Sequence, residues 1–291
     1  MKPAAFAYLR AGTVEEAVSL LNRHGSGARI LAGGQSLVPM MNFRLARPDV
    51  LIDLNGCAGL GGIAVDEDAL SLGAMARQRT VEQHPLVHRW APLVRACLAD
   101  AGPVTVRNRG TVGGMAANCY PTSDLVTALV CLDARIVVQG AQGRRSWQAR
   151  DFFLGAFTTA LAFDEVVVEL RIPRLAGWRH AYLKWADHAA GAAVVGVALS
   201  ALLDGAGPAA VRAMNVAVSG LDSSVPIRLS CPEGAASYAG RPGAVAELLR
   251  TEVSQRGSRP PDAEAMIRIG IAGTLAERAL QSVLDPVGAG A

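Results

Sequence analysis

Ala32-Gly33-Gly34-Gln35-Ser36-Leu37 follows the apolar run Arg29-Ile30-Leu31 in this 291-residue chain and reads as a strand entering a tight loop. A second glycine turn, Gly110-Thr111-Val112-Gly113-Gly114-Met115, comes later and precedes a helical pattern over 123–132. Paired glycines permit positive φ and let the backbone approach a ligand with no Cβ in the way. Successive amides then form a concave donor array suited to a diphosphate, with the Ser36 and Thr111 hydroxyls beside it. Neither stretch fits GxGxxG or the GxxxxGK of a P-loop, so a Rossmann fingerprint and a P-loop are both excluded. One glycine pair alone reads more readily as a turn; two with matching hydroxyls bring the ligand reading level with it.

Working outward, Thr13-Val14-Glu15-Glu16 has capping-box spacing ahead of Ala17, Val18, Leu20 and Leu21, which predicts a first helix. Strands are predicted over 50–54, 70–75, 135–138 and 165–172, and a helix over 81–99 with Pro85 and Pro92 interrupting its pattern. Pro173 to Trp178 holds a proline and a glycine between β-like stretches and marks a domain boundary. Beyond it, 182–185, 193–203 and 211–218 form a strand-rich block, closed by helical patterns at 244–252 and 262–283. Strands and helices mix without strict alternation, which favours α+β over a doubly wound sheet.

With 51% hydrophobic and 18% charged residues, the chain is excluded from the disordered class. Its longest nearly apolar run, 189–203, is shorter than the roughly 20 residues of a spanning helix. The opening MKPAAFAYLR has no signal-peptide pattern, so the cytoplasm is the expected compartment. A net charge of +3 without a basic cluster argues against nucleic acid or an anionic membrane as partner. The five cysteines, at 57, 97, 119, 131 and 231, include no CxxC pair, so neither zinc nor an iron–sulfur cluster is expected on them.

Other candidates are weaker. His84 and His88 stand at i, i+4, but Pro85 intervenes and no HExxH carboxylate accompanies them. Ser36 lies in GGQSL rather than GxSxG, which argues against a nucleophile elbow. Asp124 reads most simply as a cap on the helix that follows it, and Trp185 as core packing with stacking on a ring as the alternative. No catalytic acid–base pair and no metal-ligand set emerges.

As a pair, the two loops carry a resemblance. AGGQSLVPMMNFRLARPDVLIDLN (32–55) resembles the first flavin-binding segment of the medium, FAD-binding subunits of molybdenum hydroxylases, the carbon monoxide dehydrogenase and xanthine dehydrogenase relatives. VRNRGTVGGMAANCYPTSDL (106–125) is similar to their second segment, RNxGTIGGNLANADPASDL, and the likeness continues through 166–173, YLKW, AVVGVAL and the closing RAL. The resemblance implies an α+β chain: a two-subdomain FAD domain of the vanillyl-alcohol-oxidase (PCMH) type over 1–175, then a small domain over 179–288 with a three-stranded antiparallel sheet and helices. Position by position, it implies that Ala32, Gly33, Gly34, Gln35 and Ser36, with Thr111, Val112, Gly113, Gly114 and Met115, wrap the FAD diphosphate, and that Leu37 and Asn118 also belong to the FAD site. Asp124 would bind polar groups of FAD, and Leu161 and Lys184 would lie near the flavin.

The resemblance further implies partners: a large molybdopterin-binding subunit and a small subunit with [2Fe–2S] clusters, assembled as a dimer of heterotrimers. Electrons would pass from those clusters through FAD here to an external acceptor. A self-contained flavin oxidase and a scaffold with weakened FAD binding stand as alternatives. Met115 replaces the asparagine of GGN, Tyr120 stands where aspartate is common, and Ile267 where tyrosine is frequent. His188-Ala189-Ala190-Gly191-Ala192 replaces an RASDF-like stretch, so an acid and an aromatic are missing after Lys184.

Overall fold

The structure is a computed structural model and describes residues 2–188, 191–205, 211–221, 225–231, 241, 243–256 and 262–284. It begins with three short parallel strands, β1 (Ala7–Arg10), β2 (Ala28–Leu31) and β3 (Val50–Asp53), in the order β1-β3-β2. Helix α1 (Val14–His24) carries the chain from β1 over to β2, the two strands that flank β3 and run parallel to it. Thr13 caps it, its Oγ1 accepting from the Glu16 amide at 3.1 Å, while Glu16 accepts from Gly12, one residue further back than in a capping box. Gly34 turns the chain out of β2 into α2 (Leu37–Asn42).

Five strands form the second, antiparallel sheet: β4 (Ile63–Val65), β5 (Ala69–Gly73), β6 (Arg135–Gly140), β7 (Gly143–Gln148) and, after a small β8 (Phe153–Gly155)–β9 (Thr158–Thr159) hairpin, β10 (Val166–Pro173). Their order, β4-β5-β10-β6-β7, puts β10 at the centre. Alternation along the strands splits the sheet's two faces between different cores. Val137 and Val168 join the cluster built with α1, whereas Ile136, Val138, Leu170 and Ile172 join the larger one.

That larger core is covered by helices. The pattern over 81–99 is three helices rather than an interrupted one: α3 (Gln78–Gln83), α4 (Pro85–Trp90) and α5 (Pro92–Asp100). Pro85 and Pro92 each stand at a helix start, where a missing N–H costs nothing and the fixed φ helps. Then come α6 (Val104–Arg107), α7 (Val112–Asn118), α8 (Asp124–Cys131) and the short α9 (Ala149–Phe152).

Between Pro173 and Trp178 the chain changes sheets. The last sheet is antiparallel, β11 (Trp178–Trp185), β12 (Val195–Leu203), β13 (Val211–Ser219) and β14 (Ile227–Cys231), in that order. It has four strands where three were expected. The fourth, Ile227–Cys231, is only five residues long and carries an arginine and a serine, so it presents too short a pattern to read as a strand. One face, with Val195, Val197, Leu199 and Ala201, packs on helices Ala244–Arg256 and Ala263–Leu284. The other face sends Tyr182, Ala198 and Ala217 into the larger core of the N-terminal part. No described helix is long and apolar enough to cross a membrane.

Candidate functional site

The two glycine stretches meet. A Cβ at Gly33 would lie 2.3 Å from the Arg109 carbonyl oxygen and 2.8 Å from Gly110 Cα. One at Gly114 would come within 3.6 Å of the Ala32 Cβ. Glycine is therefore required at 33 because two backbones touch; only Gly34 of the four takes positive φ, at 72°.

Their chemistry is unequal, which the sequence pattern did not indicate. In the first stretch the amides of Gly33, Gly34, Gln35, Ser36 and Leu37 donate to no protein acceptor among the described residues. Ser36 is exposed ahead of α2, its hydroxyl making no cap bond. Gln35 turns its amide nitrogen back onto the Gly33 carbonyl at 3.2 Å. This run is a set of uncommitted donors on a turn made by Gly34, and a diphosphate is the kind of group that fits it.

The second stretch is not a turn of that kind but the start of α7. Val112 and Gly113 donate to the carbonyls of Ala76 and Ala74 at 3.1 and 2.9 Å, and Met115 donates to Thr111. Gly114 donates to the Thr111 hydroxyl, which caps the helix and is itself buried. These amides are engaged within the protein. Gly113 is needed because a Cβ there would lie 2.4 Å from the Ala74 Cβ and 2.7 Å from its Cα. Met115 packs against the main core, so its thioether gains contacts where the family pattern has a polar group. Asn118 closes α7 half-buried, and Cys119 after it adopts left-handed φ of 43°.

Asp124 and Lys184 come together at 3.4 Å, the former at the first position of α8, the latter on β11. The helix cap is Ser123, not Asp124: its Oγ accepts from Val126 at 3.4 Å. Asp124 accepts instead from the Tyr182 hydroxyl through one oxygen and from Lys184 through the other. Lys184 donates also to the carbonyls of Asp100 at 2.6 Å and Gly191 at 3.1 Å, tying the end of α5 and the segment after β11 to one ammonium. Tyr182 was missed, although its i, i+2 spacing with Lys184 puts both on one face of a strand. Burial raises the Asp124 carboxyl to about 6 against the opposing pull of Tyr182 and Lys184, and burial also pushes the Tyr182 phenol well up.

Leu161 lies half-buried against the main core. A two-pronged Arg145–Glu165 pair, 2.6 and 2.7 Å, brackets it. Glu165 accepts from the Ala162 amide at 2.9 Å, and Arg145 reaches the Ala160 carbonyl at 3.5 Å. Trp185 is 45% exposed rather than part of a core, and Ile267 is 65% exposed. Ala192 is exposed, whereas Ala189 and Ala190 lie outside the described residues. Arg107 of the RN pair is structural, its Nε donating to Glu82 at 2.9 Å between α6 and α3.

Two groups set opposed pH responses. Burial lowers His180, bonded to Ser200 at 2.8 Å, to about 4; the stability this carries is present above the unfolded value of 6.5 and lost as pH falls through 4. Asp124 is raised, so its contribution is present below the unfolded value of 3.8 and lost as pH rises through about 6. Each is on the order of 3 kcal/mol. Urea melts should therefore show His180→Gln gaining on the parent chain at pH 5 relative to pH 7.5, and Asp124→Asn gaining in the reverse direction. Equal offsets at both pH values would refute the pair of assignments.

Cys57, Cys97, Cys119 and Cys131 are buried free thiols, all pushed up by burial, Cys119 and Cys131 to about 11. Cys231 ends β14 with its side chain outside the described set. No group of three metal-ligating side chains occurs among the described residues. In the native chain these four thiols should react with a disulfide reagent at least a hundredfold more slowly than in urea, because protonated buried thiols are poor nucleophiles. Fast labelling of any of the four, located by peptide mapping, would contradict that.

Comparison with known proteins bears on this geometry. Residues 4–175 match the model of the FAD binding domain in molybdopterin dehydrogenase. The chain is 40% identical over 203 residues to the carbon monoxide dehydrogenase medium chain of Hydrogenophaga pseudoflava, covering 67% of this chain and 70% of that one. It is 36% identical over 205 residues to the glyceraldehyde dehydrogenase medium chain of Sulfolobus acidocaldarius, covering 70% and 73%. The solved carbon monoxide dehydrogenase of Hydrogenophaga pseudoflava superposes with a TM-score of 0.84 at 31% identity, over 97% of this chain and 98% of that one. Quinoline 2-oxidoreductase from Pseudomonas putida 86 gives 0.83 at 27% identity over 98% of both. With the fold, the paired loops and these matches agreeing, the chain belongs to the FAD-binding medium subunits of the molybdenum hydroxylase family.

Proposed function

We propose that this oxidoreductase subunit carries electrons from the [2Fe–2S] clusters of a small partner through FAD to an external acceptor, while a large partner holds the molybdenum cofactor. Membership in a family of medium chains supports the partners, and the cysteine pattern agrees, since the chain has no cluster-ligating spacing. The observation that carries the FAD assignment is the run of uncommitted amides from Gly33 to Leu37.

Those amides and the Ser36 hydroxyl would hold the diphosphate, with Ala32 at the start of the loop and the Gln35 side chain folded back onto the Gly33 carbonyl. Thr111, Val112, Gly113, Gly114, Met115 and Asn118 would line the same cofactor site, although the amides of Val112, Gly113, Gly114 and Met115 are committed within the protein. Asp124, Leu161 and Lys184 would border the flavin end, each held by partners within the chain. When bound, FAD supplies a carrier that exchanges electrons singly or in pairs; the protein's part is binding, orientation and electrostatics. Lys184 places a cation there, and the Asp124 carboxyl beside it moderates that charge.

The test is the visible spectrum of the full chain alone and with its partners. A flavin spectrum that small organic substrates bleach only in the assembled complex supports the reading. Bleaching of the isolated chain by such a substrate makes it a self-contained oxidase, and a colourless chain that takes up no FAD makes it a scaffold.

A further inference from the structure

Arg77 stands just before α3 in a stretch that carries no motif, yet its guanidinium spans the two loops. Its Nη1 donates to the Arg109 carbonyl at 2.5 Å, the same oxygen that closes over Gly33. Its Nη2 donates to Asn55 Oδ1 at 2.6 Å. Asn55 donates onward to the Ala32 carbonyl at 3.1 Å and to Asp53, whose other oxygen accepts from the Tyr8 hydroxyl. The backbone repeats the link: residues 77 and 111 face each other in an antiparallel bridge, and Gln78 donates to the Gly110 carbonyl at 2.9 Å. One planar group thus reaches both the carbonyl that closes over Gly33 and, through Asn55, the carbonyl of Ala32 at the start of the loop. A lysine has the charge but not the fork that joins two acceptors on different segments.

We propose that Arg77 is a positioning residue for the diphosphate loop: acting through Asn55 and the Arg109 carbonyl, it holds the Gly33–Leu37 amides in the arrangement that binds a diphosphate. The inference rests on the FAD reading above. It assigns Arg77 no contact with the ligand. Order in the loop before binding lowers the cost of ordering it on binding, so the effect falls on affinity for the diphosphate half of the ligand.

The experiment uses the full chain stripped of flavin and titrated with FAD by fluorescence and with ADP by calorimetry. Arg77→Ala should weaken FAD and ADP alike by about tenfold, the scale of one charge-assisted hydrogen bond, and Asn55→Ala, which leaves the Arg109 link in place, should weaken both alike by about threefold to tenfold. The double variant should also lose about tenfold and not a hundredfold, because the two residues act in series. Arg77→Lys should stay within threefold of Arg77→Ala. Unchanged affinity in the single variants, an additive double variant, full recovery by lysine, or a loss for FAD without one for ADP would each overturn the proposal. Should Arg77→Ala fail to fold, Arg77→Lys and Asn55→Ala carry the same comparison. A parent chain that binds neither FAD nor ADP is a different failure, that of the site itself.

Discussion

Gly113→Val should cost the chain about 4 kcal/mol or more, enough to remove most soluble folded protein from a domain of ordinary stability. The reason is contact between backbones. The new Cβ would meet Ala74 Cβ, Cα and carbonyl oxygen at 2.4 to 2.7 Å, and the Gly113 amide is bonded to that same carbonyl. No rotamer relieves such a clash; α7 has to leave the end of β5. Gly34→Val is different in kind. Its Cβ would meet only the side-chain ends of Val38 and Leu31, at 3.2 and 3.3 Å, while φ of 72° strains a branched residue by about 1–3 kcal/mol. That variant should melt cooperatively, a few degrees lower, and retain less than a tenth of the flavin. Thermal melts paired with flavin-to-protein absorbance ratios separate the two. A Gly113→Val chain with the parent's melting temperature, or a Gly34→Val chain with full flavin, would defeat the division of labour between the loops.

The second large effect is expected at Asp124. Asp124→Ala leaves the Lys184 ammonium, only 10% exposed at its side chain, with two carbonyls and no counter-charge, and leaves the Tyr182 hydroxyl without its acceptor. Removing one partner of a buried pair costs about 3–5 kcal/mol. Asp124→Asn keeps an acceptor for Tyr182 and should cost less than half as much. Lys184→Met gives the signed control. Without the ammonium the carboxyl rises further, so this variant should lose more stability at pH 8 than at pH 5. Urea unfolding at the two pH values measures it; equal losses would mean that the pair is not coupled.

Much of this was legible because it is local. Thr13 caps α1 from within its own capping motif and β-branched residues mark β10, whereas the prolines at 85 and 92, expected to interrupt one helix, open two. What stayed hidden depends on contacts between distant segments. Whether an amide in a glycine pair is free or committed is decided by where Ala74 and Ala76 lie, nearly 40 residues earlier, and no pattern within Thr111 to Met115 records it. Arg77 reaches Asn55 and Arg109 across 22 and 32 residues, and Asp124, on a helix, finds Tyr182 on the last sheet 58 residues later. The capping role suggested for Asp124 was a fair local reading that lost to Ser123, one residue earlier.

The larger core draws Tyr182, Ala198 and Ala217 from the last sheet, and Lys184 binds the end of α5 from the same side. The flavin-binding half is therefore no portable module. A chain cut at residue 175 would open the buried side of α8, leave Asp124 without either of its donors, and tend to associate through the bared apolar surface. Fusing this half alone to another electron-transfer protein should fail, whereas a graft that carries the last sheet with it keeps the wall on which the first half is built.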